Sequence, residues 1–145
     1  MNLECSSKGD KRFSALYAKI NNISIEDRYQ LLKKFLYNQK ILHPENFKQA
    51  KHWQYKNEYK LIDFKVNNQI FSLKYLTAYY KYLWYIYLVS NKQLVNYIKK
   101  FDTFTDCFAK ENTINSQKDI IEQVAKEGLN SLYEDCKFFV HKFCF

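Results

Sequence analysis

Apolar residues recur at helical intervals along several stretches of this chain, and those stretches set the expected architecture. Between Ser72 and Ser90, the residues Leu73, Leu76, Tyr80, Leu83 and Tyr87 fall on one stripe. A long helix is expected there, capped by Ser72, broken at Asn91 and placed at the centre of the core. Ile25, Tyr29, Leu32 and Leu36 repeat in the same way, with Ser24 before them as a helix N-cap and Glu26 and Asp27 in the first turn. The helix they predict runs from Ser24 to about Asn38. Pro44 opens a shorter helix through about Trp53, and others are expected from about Gln93 to Lys100 and from Asn115 to about Lys126, the last ended by Gly128. The stretch from Arg12 to Ile20 follows a Lys8-Gly9-Asp10 turn and is short and apolar-rich, which reads as a strand or extended segment. Asn21-Asn22 then turns the chain, and Val66 to Ile70 reads as a hairpin turn inside the ambiguous stretch 54–71. The expected fold class is mainly α with a short N-terminal extended or β element, and the expected organisation is one domain over 1–145.

Composition supports long regular elements, because the 145 residues are 47% hydrophobic with only two glycines and one proline. A chain of this size can bury one core without disulfides or metals. Aromatic residues at 19% and abundant Lys and Asn fit AT-rich coding, so the net charge of +8 reads as a solvated lysine surface as readily as an anion-binding one. The two arginines, Arg12 and Arg28, both fall in the first third, and guanidinium offers phosphate a planar fork that lysine does not. Cys5, Cys107, Cys136 and Cys144 form no Cys-x-x-Cys pair, which argues against zinc, and the polar opening Met1 to Asp10 leads us to expect a cytoplasmic protein with reduced thiols. Lys74 and Lys81 interrupt the apolar run from Leu73 to Val89, so that run is expected to be a buried helix and not a membrane span. The tail 129–145 carries Phe138, Phe139, Val140, Phe143 and Phe145. It either packs as a helix or docks on a protein partner.

Candidate chemistry gathers in the first third. Lys8, Lys11 and Arg12 can hold an anion, Tyr17 lies beyond them, and Glu26, Gln30 and Lys33 follow on the expected helix, with Gln30 one turn after Glu26. By residue type alone, Glu26 complements a helix dipole, Trp84 belongs to the core, and Asp106 and Asn115 are helix caps. His43, His52 and His141 are isolated in sequence and receive no role.

The pattern Phe13-Ser14-x-Leu16-Tyr17, followed by Ser24-x-Glu26-x-x-Tyr29-Gln30-x-x-Lys33, resembles the paired signature of the NADAR superfamily. Members read roughly Ser-Asn-Phe-Tyr, then Ser-Glu-His-x-aromatic-Gln, then Lys a few residues on. Here Ala15 replaces the Asn, Ile25 separates the Ser from the Glu, and Asp27 replaces the His. Asp106 and Asn115 stand near the places of two later family elements, without the Trp-Gly and Leu-Gly that accompany them. The segment from Lys8 to Ser14 is also similar to small phage-encoded proteins. The resemblance implies a compact, helical NADAR-like domain that hydrolyses an N-glycosidic bond on a ribosylated, ADP-ribosylated or phosphoribosyl substrate.

In the roles that the resemblance implies, Glu26 is the catalytic carboxylate and Asp106 a possible second. Lys8, Lys11 and Arg12 hold phosphate, Tyr17 and Trp84 stack on the base, and Gln30, Lys33 and Asn115 orient ribose or base. No cofactor or metal is required. The implied partner is a ribosylated nucleotide or modified nucleic acid, with no membrane. Two other readings stand beside it: a protein that binds nucleotide or nucleic acid without turnover, such as a small phage-type inhibitor, and a lysine-rich nucleic-acid binder that stacks bases on exposed tyrosines.

Overall fold

A computed structural model describes residues 1–109 and 116–143. In chain order the elements are β1 (Asn2–Glu4), β2 (Lys19–Ile20), β3 (Ile23–Ser24), α1 (Ile25–Gln30), β4 (Lys33–Tyr37), β5 (Lys40–Leu42), α2 (Phe47–Gln54), β6 (Lys60–Val66) and β7 (Gln69–Ser72). There follow α3 (Leu76–Val89), α4 (Lys92–Ile98), β8 (Thr103–Thr105), α5 (Gln117–Glu127) and α6 (Leu129–Phe143). The described chain is about 49% helical and 21% strand, so the fold is mixed α/β. The expectation of a mainly α fold with a minor β element is overturned.

The difference arises between residues 26 and 76, one of two compact units of the chain. Here a four-stranded antiparallel sheet runs β5-β4-β6-β7. The helix expected to reach Asn38 stops at Gln30, and the chain re-enters as strand β4 three residues later. Helical spacing of Leu32 and Leu36 was outweighed by ladder bonds to two neighbours, since Phe35 pairs with Leu42 on one side and Leu61 on the other. Phe35, Ala50 and Trp53 are buried together, with Leu42, Tyr59 and Leu61 packed against them, so α2 covers this face of the sheet. The Trp53 and Tyr59 rings stack 5.2 Å apart and Tyr59 stacks on Tyr37 at 4.5 Å. A register shift beside Lys34 and Phe35 places an extra β6 residue opposite β4, the mark of a bulge.

Hairpin turns account for much of the strand content. At Asn21-Asn22, Asn38-Gln39 and Asn67-Asn68, every residue has φ between 49° and 66°. Two consecutive left-handed residues are the signature of the type I′ turn, whose twist suits antiparallel strands and in which Asn is favoured after Gly. The turns expected at Asn21-Asn22 and within Val66 to Ile70 are present; the one at Asn38-Gln39 was hidden inside an expected helix.

The other unit comprises Met1–Ile25 and Thr77–Phe145. The stretch from Arg12 to Ile20, expected to be extended, is instead a single 3-10 turn over Lys11–Phe13, then further turns, then β2. Asp10 caps that turn by accepting from the Arg12 N–H, a local bond that draws the backbone away from a strand path. β1 and β8 pair in parallel, and the Glu4 carboxylate accepts from the Ser6 and Thr105 hydroxyls and the Cys107 N–H. Gly9 passes so close that a Cβ there would overlap the Glu4 carbonyl oxygen. Gln117 joins three segments: it accepts from the Ala15 N–H at 2.6 Å and donates to the Cys5 carbonyl at 2.6 Å and to Asp106 at 2.9 Å. Helix α3 buries residues around most of its circumference, including Tyr80, Leu83, Trp84 and Tyr87, whereas Leu73 on the expected stripe is exposed. Gly128, at φ +91°, ends α5 with its N–H on the Val124 carbonyl, as expected. The tail forms helix α6, with Leu132, Cys136, Phe139 and Val140 buried. Among the described residues no helix is long and apolar enough to cross a membrane.

A β-branched residue cannot adopt the left-handed turn without strain. Asn67→Val should therefore lower unfolding stability by about 1–2 kcal/mol, while Asn67→Gly should change it by less than about 1 kcal/mol. Urea denaturation of both variants checks this, and equal effects would show that the turn conformation does not matter.

Candidate active site

Three of the residues singled out in sequence are brought together in residues 26–76. Gln30 sits one helical turn after Glu26 on α1, and its Nε2 donates to Glu26 Oε1 at 2.9 Å. The same amide turns its oxygen to Lys33, whose Nζ donates to Gln30 Oε1 at 2.8 Å. Carboxylate, amide and amine therefore form one continuous hydrogen-bonded chain. All three residues are buried, with Glu26 at 7%, Gln30 at 5% and Lys33 at 1% relative exposure.

The strand explains how a lysine comes to lie inside. Lys33 and Phe35 are two apart on β4 and share a face, because side chains alternate along a strand. Phe64 is paired directly across from Lys33 and is itself fully buried. The amine is reached from two further sides: Gln54, the last residue of α2, accepts from it at 2.9 Å, and the Tyr29 ring centroid lies 4.3 Å away. Lys51, half exposed on α2, approaches Glu26 Oε1 at 3.4 Å. Both polar contacts to Glu26 fall on Oε1, so neither ties Oε2.

The acceptors of Lys33 are neutral amides rather than carboxylates, and that governs its protonation. Burial penalises the ammonium and pulls its pKa down from 10.5 to about 8; Glu26 opposes the shift and Lys51 reinforces it. A lysine titrating near 8 is present partly as the free amine around neutral pH, which a surface lysine is not.

The remaining candidates lie in the other unit and have partners of their own. Arg12 places its guanidinium on Asp10 through bonds of 3.0 and 2.7 Å and lies over the Tyr97 ring at 4.5 Å. That hydrogen bonding holds the Asp10 carboxyl below its usual range. Lys11 lies over the exposed Tyr17 ring at 4.7 Å, and Lys8 over the exposed Phe108 ring at 5.4 Å. Trp84 has no exposure and packs edge-on to Tyr87 within the core. Asp106 uses both carboxylate oxygens locally, accepting from the Phe108 N–H at 3.0 Å and from Gln117 Nε2 at 2.9 Å. Asn115 and Cys144 lie outside the described residues. Among the described residues, no cluster of three or more His, Cys, Asp or Glu side chains could hold a metal ion.

Reasoning from sequence missed Gln54 and Lys51. They are far from Glu26 along the chain, and nothing in the local pattern of α2 distinguishes them from surface residues. Tyr29 was visible as an apolar position of the expected helix and as the aromatic member of the motif, not as a contact of Lys33.

A short helix carrying Glu26 and Gln30 leads into a strand that buries Lys33, which is how this chain folds the second half of the signature that resembles the NADAR superfamily. More particularly, the family model described as the DarT1-associated NADAR antitoxin matches residues 2–136, and the chain belongs to that family. No curated protein matches the chain.

Since Lys33 binds its proton less tightly when folded, its burial costs stability fully below about pH 8, and the cost fades as pH rises from about 8 toward 10.5. Lys33→Met removes this linkage. Wild-type stability should accordingly gain on the variant by about 3 kcal/mol across that range. Urea unfolding at a series of pH values measures the difference, and a flat difference would mean that Lys33 titrates as in water.

Proposed function

We propose that the chain hydrolyses an N-glycosidic bond and releases ADP-ribose from a modified base in DNA, with Glu26 as the catalytic carboxylate. The observation that carries this reading is the buried Glu26, Gln30 and Lys33 chain in a member of a family named for its association with DarT1. An antitoxin paired with an ADP-ribosylating toxin has an evident use for such a reaction, because removing the modification undoes the damage.

The chemistry follows from the geometry. Breaking the bond between ribose C1 and a base nitrogen develops positive charge on the sugar and negative charge on the departing base. A carboxylate beside C1 stabilises the first and activates water to complete the hydrolysis. Glu26 suits this because Gln30 fixes its Oε1 while leaving Oε2 outside that contact, and because its near burial strengthens its field. Gln30 acts as a positioning residue held from both ends.

Glu26→Gln keeps shape and can keep a hydrogen bond to Gln30, so it should fold normally while release of ADP-ribose falls by about 10²- to 10⁴-fold. Gln30→Ala should lower the rate by about 10- to 100-fold through misplacement of both neighbours. The assay is incubation with ADP-ribosylated, guanine-containing DNA, following released ADP-ribose and bound intact substrate together. Turnover unchanged in Glu26→Gln removes Glu26 from catalysis, and saturable binding with no release supports a binding protein without hydrolysis.

A further inference from the structure

Three aromatic rings in residues 26–76 form a parallel stack that runs outward from the buried Trp53. The Trp53 ring lies 5.2 Å from that of Tyr59 with 6° between their planes, and Tyr59 lies 4.5 Å from Tyr37 with 14° between them. Trp53 and Tyr37 make no ring contact with each other, so Tyr59 is the middle layer. Trp53 packs edge-on to Phe35 and anchors the inner end, while Tyr59 and Tyr37 are each partly exposed. Tyr37 has Tyr59 as its one ring neighbour, and its hydroxyl has no hydrogen-bond partner, among the described residues. The stack therefore ends on a partly exposed aromatic ring, the kind of surface on which an unstacked nucleobase settles.

Strand geometry sets this ring in line with the candidate site and surrounds it with charge. Residues 33, 35 and 37 alternate onto one face of β4, so Tyr37 lies roughly 13 Å along the strand from Lys33 at the usual rise per residue. Lys40 is paired directly across from Tyr37 on β5 and shares that face. Lys56 belongs to the turn between Trp53 and Tyr59, and its carbonyl accepts from the Tyr59 N–H at 3.2 Å. Lys40 and Lys56 are exposed, and neither side chain is in an ion pair among the described residues. Glu58 is exposed in the same turn and Lys60 follows it, so the rim keeps a positive balance. An aromatic face rimmed by unpaired lysines is complementary to a base with its phosphates; an acidic peptide would engage the lysines and leave the ring unused.

Resting on the hydrolase reading for its place along the substrate, we propose that Tyr37 is a stacking subsite for a nucleobase that flanks the modified one on the same strand. Lys40 and Lys56 take the adjoining phosphates, and the base forms a fourth layer on Trp53, Tyr59 and Tyr37. The ligand is single-stranded nucleic acid, because a base inside a duplex has both faces covered by its neighbours. The contact tolerates any sequence, since every base has a π-face.

The test titrates the full chain with an unmodified, fluorescently labelled single-stranded oligonucleotide and follows anisotropy. Tyr37→Leu keeps apolar bulk but removes the π-face, and it should weaken binding by about 5- to 100-fold, whereas Tyr37→Phe should stay within about twofold of wild type. Lys40→Ala, at an exposed position, probes the same surface without touching the stack and should lower the slope of log affinity against log salt by roughly 0.7. Circular dichroism checks the folding of each variant. A second arm measures release of ADP-ribose from a modified oligonucleotide and from ADP-ribosylated guanosine. Tyr37→Leu should raise KM for the first and leave the second unchanged. Equal binding by wild type and folded Tyr37→Leu, or no binding of the unmodified strand by wild type, overturns the subsite. An unchanged salt slope in Lys40→Ala overturns the phosphate contact. Equal losses on both substrates assign the ring to the adenine of ADP-ribose and overturn the strand subsite. Absence of release from either substrate by wild type removes the hydrolase reading alone, and the binding arm then decides the subsite by itself.

Discussion

An amine held out of water and answered by neutral amides is the interaction on which residues 26–76 turn. Placing Lys33 opposite Phe64 and beside Phe35 puts a polar head where the sheet would otherwise continue its apolar face. The protein offsets part of the cost with two hydrogen bonds and an aromatic face, and leaves the rest as a depressed pKa. Local conflict of this kind, a charge-bearing residue at a core position without a carboxylate counter-ion, is commoner at functional sites than in purely structural cores.

The neighbouring elements are arranged around that amine. Helix α1 is short, and one turn suffices to set Glu26 and Gln30 in line with it. The switch from helix to strand after Gln30 then turns Lys33 inward. Helix α2 closes the other side with Gln54, while its Trp53 and Ala50 bind it to Phe35. One amide, Gln30, therefore links acid and amine, so its substitution disturbs both ends of the chain at once.

The other unit shows the same economy applied to structure. Glu4 gathers Ser6, Thr105 and Cys107, and these bonds hold its pKa near 2 against the opposing effect of desolvation. Gln117 ties the segments of Cys5, Ala15 and Asp106. Asp106 thus takes part in a turn and a cross-link, with one carboxylate oxygen in each.

What the sequence by itself determined was local. The spacing of Glu26, Gln30 and Lys33 carried the family signature, Asn21-Asn22 and Asn67-Asn68 marked left-handed turns, and Ser72, Asn91 and Gly128 punctuated helices where the structure has them. Each depends on residues within a turn of one another, or on a backbone preference of a single residue. Tertiary structure alone decided that 33–37 is strand. The buried lysine masks the alternation of polar and apolar residues that would have revealed it, and the ladder partners lie at 40–42 and 60–66, beyond any local window. It also decided that Gln54 and Lys51 reach the site and that Trp84 lies within the core. Proximity of groups distant in sequence is created by pairing and packing, and no local pattern along this chain encodes it.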